Sequence, residues 1–206
     1  MAMGWGSSSP TVETVAAVLL VFLVQTVATA VGFGIELFAL AAPLDVRPWT
    51  LVTSVYAHGN LTHLAMNAVA LLVFGLLIER VTTRLRFHAF IIGTGAVAGS
   101  AEVLVGATVG SSPLVLGISG AVFALMGYLV AGNPVTDAVV GWLKLDRRLQ
   151  FLLILLLAGG LTYVTGGENV ALVAHFTGFV LGLMAGRLRL LHVGQSSRRR
   201  AVSGVS

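Results

Sequence analysis

The feature that most constrains this chain is a succession of apolar runs, each about as long as a helix needs to cross the hydrocarbon of a bilayer, roughly 20 residues. Six segments qualify or nearly qualify: 12–32, 61–79, 87–108, 114–132, 149–165 and 170–188. Polar, Gly or Pro punctuation bounds them, such as Asn133-Pro134 after the fourth and Gly166-Gly167-Glu168 before the sixth. Only 10% of the 206 residues are charged and 57% are hydrophobic, so the chain lacks the polar groups to cover a soluble core of its size. The expected fold is an all-α membrane bundle of six transmembrane helices. Its parts are an N-terminal tail (1–11), a six-helix domain (12–188) and a basic C-terminal tail (189–206). No Lys or Arg precedes the first run, so it reads as a retained helix and not as a secretory signal.

The net charge of +4 does not point to nucleic acid, because the basic residues lie where a membrane topology puts them. Arg80, Arg84 and Arg86 follow the second span; Lys144, Arg147 and Arg148 precede the fifth; Arg187, Arg189 and Arg198-Arg199-Arg200 follow the sixth. These all fall on one side of the membrane and only Arg47 on the other, so the positive-inside rule makes both termini cytoplasmic. Spans two, four and six then enter from outside. The terminal arginines suit anionic lipid headgroups, and no nucleic-acid partner is expected. Between spans one and two, Gly34–Gly59 mixes apolar residues with Glu36, Asp45 and Arg47, as a segment along the outer interface would, with Trp49 at headgroup level.

Polar groups inside a membrane are costly, so chemistry is sought among them. Span four opens with Gly117-Ile118-Ser119-Gly120, where small residues around a serine suit close helix packing as well as a nucleophile. Span six carries His175, followed by Gly178 and Gly182, a GxxxG pair that permits close approach of another helix. His63 and Asn67, four apart on span two, share one helix face and suit either a polar collar or a pair of donors to one oxygen. Absence of cysteine excludes thiolate chemistry and disulfides. A metal held by His58 and His63 is disfavoured by their five-residue gap, and no metal or cofactor is expected.

The topology puts these groups together. Counted along ideal helices, Ser119 and His175 each lie about five residues below the outer end of their spans, roughly 8 Å deep. His63 and Asn67 occupy the same outer part of span two. That agreement in depth favours catalysis over packing. Serine needs a base to take its proton, and His175 can do so. No Asp or Glu occurs in spans four or six, which predicts a Ser-His dyad and no triad. His63, Asn67 and the Ser119 backbone N–H would stabilise the oxyanion, each donor being worth roughly 3 kcal/mol.

In these residues the sequence resembles the rhomboid family of intramembrane serine proteases, in the six-helix form common in prokaryotes. The resemblance runs from about Pro48 to Gly186. It is carried by His58, His63 and Asn67, by Glu79-Arg80, by Gly117-Ile118-Ser119-Gly120 with Ala124-Leu125-Met126-Gly127, and by Ala174-His175 with Gly178 and Gly182. It implies Ser119 as nucleophile, His175 as general base, His63 and Asn67 as oxyanion donors, and His58 as a supporting polar residue. It also implies cleavage in or beside a substrate's transmembrane helix, without metal or ATP, after lateral entry near spans two and five. Phe123 stands where many relatives have tyrosine, and its ring is expected to stack on His175. Arg47-Pro48-Trp49 reverses the usual Trp-Arg order of the first loop. Glu79 is expected in a helix-end ion pair or interhelical hydrogen bond and Glu102 in a buried structural contact; neither is assigned to catalysis. A non-catalytic rhomboid-like protein that binds client transmembrane helices is the alternative, although such relatives typically lack the serine or the histidine. A small transporter would need polar residues through the full membrane depth.

Overall fold

A computed structural model describes residues 9–131, 149, 152 and 171–193. The described residues are mostly helical: α1 (Pro10–Ala30), α2 (Thr50–Tyr56), α3 (Leu61–Ile78), α4 (Arg84–Thr108), α5 (Ser119–Ala131) and α6 (Leu172–Arg187). Three stretches, Pro10–Ala30, Leu61–Val81 and Arg84–Thr108, are long and apolar enough to cross a membrane. Apart from residues 149 and 152, the expected fifth span at 149–165 lies outside the described residues, as do its flanking loops and the Arg198-Arg199-Arg200 tail.

Helix starts follow from side-chain caps that satisfy otherwise orphaned N–H groups. Ser9 Oγ accepts from Val12 N (3.2 Å) ahead of Pro10, which starts α1 two residues earlier than the apolar run implies. Asn60 Oδ1 accepts from His63 N (2.8 Å) and starts α3. Thr83 Oγ1 accepts from Arg86 N (3.3 Å) and starts α4. Glu79 makes an interhelical contact of the expected kind, its carboxylate accepting from Ser9 Oγ (2.6 Å) and Thr11 N (3.1 Å).

The fourth apolar run departs from expectation. Residues 114–118 are not helical; the chain runs extended there, and Val115 pairs with Leu40 through two backbone hydrogen bonds of 2.8 and 2.9 Å. Gly117 N then donates to Ser54 O (2.8 Å), and Gly117 adopts φ +124°, a conformation that only glycine takes readily. These tertiary bonds, with Pro113 ahead of them, divert the backbone from a helix until Ser119. The depth of Ser119 therefore cannot be counted in helical steps, because an extended chain rises about 3.3 Å per residue where a helix rises 1.5 Å.

Helix α5 packs against α3, α4 and α6 and buries Gly120, Ala121, Val122, Ala124, Leu125, Gly127 and Tyr128, while Phe123, Met126 and Val130 are half-buried. Its described part, Ser119–Ala131, rises about 20 Å. The loop between α1 and α2 is anchored too: Leu40 is fully buried, Arg47 Nη1 donates to Glu36 O (3.3 Å), and the half-exposed Trp49 donates Nε1–H to Leu37 O (3.1 Å). After α6 the chain turns back onto the other helices. Leu191 is buried there, and Arg86 Nη1 donates to His192 O (3.1 Å).

Candidate active site

Ser119 is the first residue of α5, and His175 lies in the first turn of α6. Ser119 Oγ and His175 Nε2 are 2.8 Å apart, a hydrogen bond between residues 56 positions apart in the chain. Glycine makes this approach possible. A methyl group at Gly178 would fall on the Gly120 carbonyl oxygen, and one at Gly182 on that of Ala124. One at Gly186 would stand 2.6 Å from the Tyr128 carbonyl oxygen. Positions on both helices advance by four together, so α5 and α6 run parallel with their backbones in contact. Gly120 and Gly178 form the first step of this seam, one residue beyond Ser119 and three beyond His175.

The imidazole is fixed from its face as well as its edge. Phe123, one turn along α5 from Ser119, stacks on His175 with ring centroids 4.3 Å apart and planes 13° from parallel. Stacking of this kind requires only the ring, so the absence of a tyrosine hydroxyl leaves it intact. His175 is buried, and its other ring nitrogen, Nδ1, has no hydrogen-bond partner among the described residues.

The extended segment before α5 brings in the other polar residues. A Cβ at Gly117 would stand 2.7 Å from His63 Cε1, 3.0 Å from His63 Nε2 and 3.7 Å from Asn67 Nδ2. The bare backbone two residues before Ser119 thus lies against both side chains. Asn67 is buried, and its Nδ2 has no partner among the described residues. The two residues share the face of α3 that their four-residue spacing predicts.

His58 lies outside the spans, in the loop before α3, and is fully buried. Its Nδ1 stands 3.0 Å from Tyr56 O, and its ring meets His63 edge-on with centroids 5.0 Å apart. Burial first, then the neighbouring His63, push the His58 imidazole down to about 4, against a smaller upward pull from the Tyr56 carbonyl. No third His, Asp or Glu joins this pair in a metal-binding group among the described residues.

One contributor was missed by sequence reasoning. Gln25, buried in α1, donates Nε2–H to His58 O (2.6 Å) and accepts from His58 N (3.1 Å), gripping one peptide residue with both ends of its amide. The available signal was an amide in an otherwise apolar span. Its partner is backbone, which leaves no mark in the sequence.

A hydroxyl hydrogen-bonded to a buried imidazole, with an unpartnered amide nearby, is an arrangement suited to acyl transfer. Comparison with known proteins agrees with the helical membrane architecture. RHOMBOID-like protein 4 of Arabidopsis thaliana is 28% identical over 157 residues, covering 73% of this chain and 37% of the relative. RHOMBOID-like protein 5 of the same plant is 28% identical over 143 residues, covering 69% of this chain and 44% of the relative. The Rhomboid protease GlpG of Haemophilus influenzae is 24% identical over 144 residues, covering 69% of this chain and 70% of the relative. The chain thus spans less than half the length of the two plant relatives. The Rhomboid domain family matches residues 45–192, which takes in α2 to α6 and every residue of the candidate site apart from Gln25, and the chain belongs to the rhomboid family.

Proposed function

We propose that this protein is an intramembrane serine protease that hydrolyses peptide bonds in or near the transmembrane segments of other membrane proteins. The observation that carries the reading is the 2.8 Å hydrogen bond between Ser119 Oγ and His175 Nε2. In the proposed reaction His175 Nε2 takes the Ser119 proton as Oγ attacks the scissile carbonyl carbon. His63, Asn67 and the Ser119 backbone N–H receive the developing oxyanion; the Ser119 N–H belongs to the first turn of α5, where N–H groups have no intrahelical acceptor. His175 then returns the proton to the leaving amine. Water, activated by the same imidazole, cleaves the acyl-enzyme.

The chain is proposed to cross the cell membrane six times with both termini in the cytoplasm and the site facing the opposite side, on the distribution of its Arg and Lys residues. Substrate helices would arrive laterally from the bilayer. Supporting this, an open apolar groove runs along the outward face of α3, lined by Leu61, Ala65, Met66, Val69, Val73 and Phe74. Lipid headgroups are the other expected contacts, through the arginines at the cytoplasmic ends.

Cleavage of a single-span test substrate in liposomes tests the reading, with wild type beside Ser119→Ala and His175→Ala. A specific product lost in both variants and unaffected by EDTA in wild type supports the dyad. Cleavage that survives Ser119→Ala sinks it. No cleavage by any form, across several substrates and lipids, shifts the reading to a non-catalytic binder of client helices.

A further inference from the structure

Resting on the protease reading, we propose that Glu102, deep in α4, is a positioning residue for His175: its carboxylate caps the helix that carries the imidazole and holds that helix in register with Ser119.

Among the described residues, helix α6 opens without a cap of its own. Ala171, Leu172 and Val173 carry no side-chain acceptor, and the N-cap position makes no side-chain hydrogen bond. The N–H groups of a first helical turn have no acceptor within the helix, and in apolar surroundings each unsatisfied one is costly. Glu102 supplies an acceptor from another helix: its Oε2 accepts from Ala174 N at 2.9 Å. Ala174 is the residue before His175, and His175 N bonds to Ala171 O (3.0 Å), so the carboxylate secures the turn that bears the imidazole. An anionic acceptor also suits the partial positive charge of a helix N-terminus.

The same face of α4 touches the other half of the dyad. Ala98, one turn before Glu102, lies where a methyl group at Gly120 would stand 2.8 Å from its Cβ, and Gly120 follows Ser119. Helix α4 therefore bears on α5 beside the serine through Ala98, and on α6 beside the histidine through Glu102. A 2.8 Å hydrogen bond across two helices tolerates little sliding, and a clamp on the first turn of α6 removes that freedom.

The test compares wild type with Glu102→Gln, which keeps an acceptor oxygen at the same reach, Glu102→Asp, which keeps the charge one methylene short, and Glu102→Leu. In one lipid environment, below every variant's unfolding temperature, kcat and KM are measured on the test substrate, together with amide exchange at Ala174 and His175. Asp and Leu are expected to lower kcat about tenfold or more at a KM within about twofold, since misplacement of a reacting group acts on the chemical step. Gln is expected to stay within about threefold of wild type, rescued by its oxygen. Ala174 exchange is expected to accelerate about tenfold in Asp and Leu and to stay protected in Gln. Wild-type kcat in both Asp and Leu overturns the proposal. So does a loss confined to KM, or an equal loss in Gln and Asp. If wild type itself cleaves nothing, the protease reading fails on its own. Amide exchange then decides the cap, with unchanged protection of Ala174 in Asp overturning it; should Leu fail to fold, Gln against Asp decides alone.

Discussion

His175 presents Nε2 to Ser119 Oγ across 2.8 Å, while its Nδ1 is buried with no partner among the described residues. In a triad a carboxylate on that second nitrogen fixes the tautomer and orientation of the ring. Here the ring is oriented by other means: Phe123 stacks against its face, and α6 is pinned to α5 by a glycine seam. Among the described residues, the contacts to the ring other than Ser119 are packing contacts, not a carboxylate on Nδ1. A membrane interior favours that solution, since a buried carboxylate at the site would itself need partners.

Ser119 and His175 acting as a unit should fail as a unit. Each alanine substitution alone is expected to reduce kcat by about 10⁴-fold or more, and the double substitution to cost little beyond either single one. Turnover of the test substrate by the three variants checks this. Additive losses would mean that the two residues do not share one proton transfer.

One glycine of the α5–α6 seam and one outside it are expected to respond to substitution with opposite signs. At Gly182 an added methyl falls on the Ala124 carbonyl oxygen, which is backbone and has no rotamer to yield. Gly182→Ala is expected to destabilise by about 1–3 kcal/mol or more and to impair cleavage with it. At Gly93 in α4 an added methyl meets nothing within 4 Å. Gly93→Ala is expected to stabilise by up to about 1 kcal/mol through helix propensity alone. Thermal unfolding in detergent distinguishes them, and a shift of the same sign in both would contradict the packing.

The apolar runs and the polar residues within them were legible in the sequence, and α1, α3, α4 and α6 lie within three residues of the expected spans. The start of the fourth span was not. Leu114, Val115, Leu116 and Ile118 are as apolar as a helix, and hydropathy does not distinguish a buried extended segment from a helical one. What diverts that segment is pairing with Leu40 and Ser54, residues remote in sequence. Gln25 was obscured for a related reason, and so was the partner of Glu102: both side chains bond to backbone atoms of another element, and every residue type has those. The pairing of Ser119 with His175 was accessible because both partners are side chains of a recognisable chemical kind.

Gly117 links the candidate oxyanion donors to the nucleophile. Its φ of +124° disfavours any other residue, and a methyl group there would stand 2.7 Å from His63 Cε1. Gly117→Ala is expected to displace His63 and the chain leading to Ser119, lowering kcat about a hundredfold, comparable to the loss of one oxyanion donor. Because neither Gly117, His63 nor Asn67 lines the apolar groove on α3 that is proposed to receive substrate, KM is expected to change little. Steady-state kinetics in one lipid environment check the split, and a loss confined to KM would remove Gly117, His63 and Asn67 from the chemical step.

His58 predicts an acid limit to stability. Its ring is fully buried, and burial followed by the adjacent His63 pushes it down to about 4 from an ordinary 6.5. The unfolded chain takes up this proton near 6.5 and the folded chain only near 4. The contribution is therefore whole above pH 6.5 and is lost as pH falls through that interval, to a total of about 3 kcal/mol. His58→Asn, which cannot titrate, is expected to flatten this part of the profile while leaving the slopes due to other groups. Unfolding temperatures of wild type and variant from pH 7.5 to 4.5 give the difference. Parallel profiles would mean that His58 does not stay neutral in the folded protein over that range, or that its burial is relieved before unfolding.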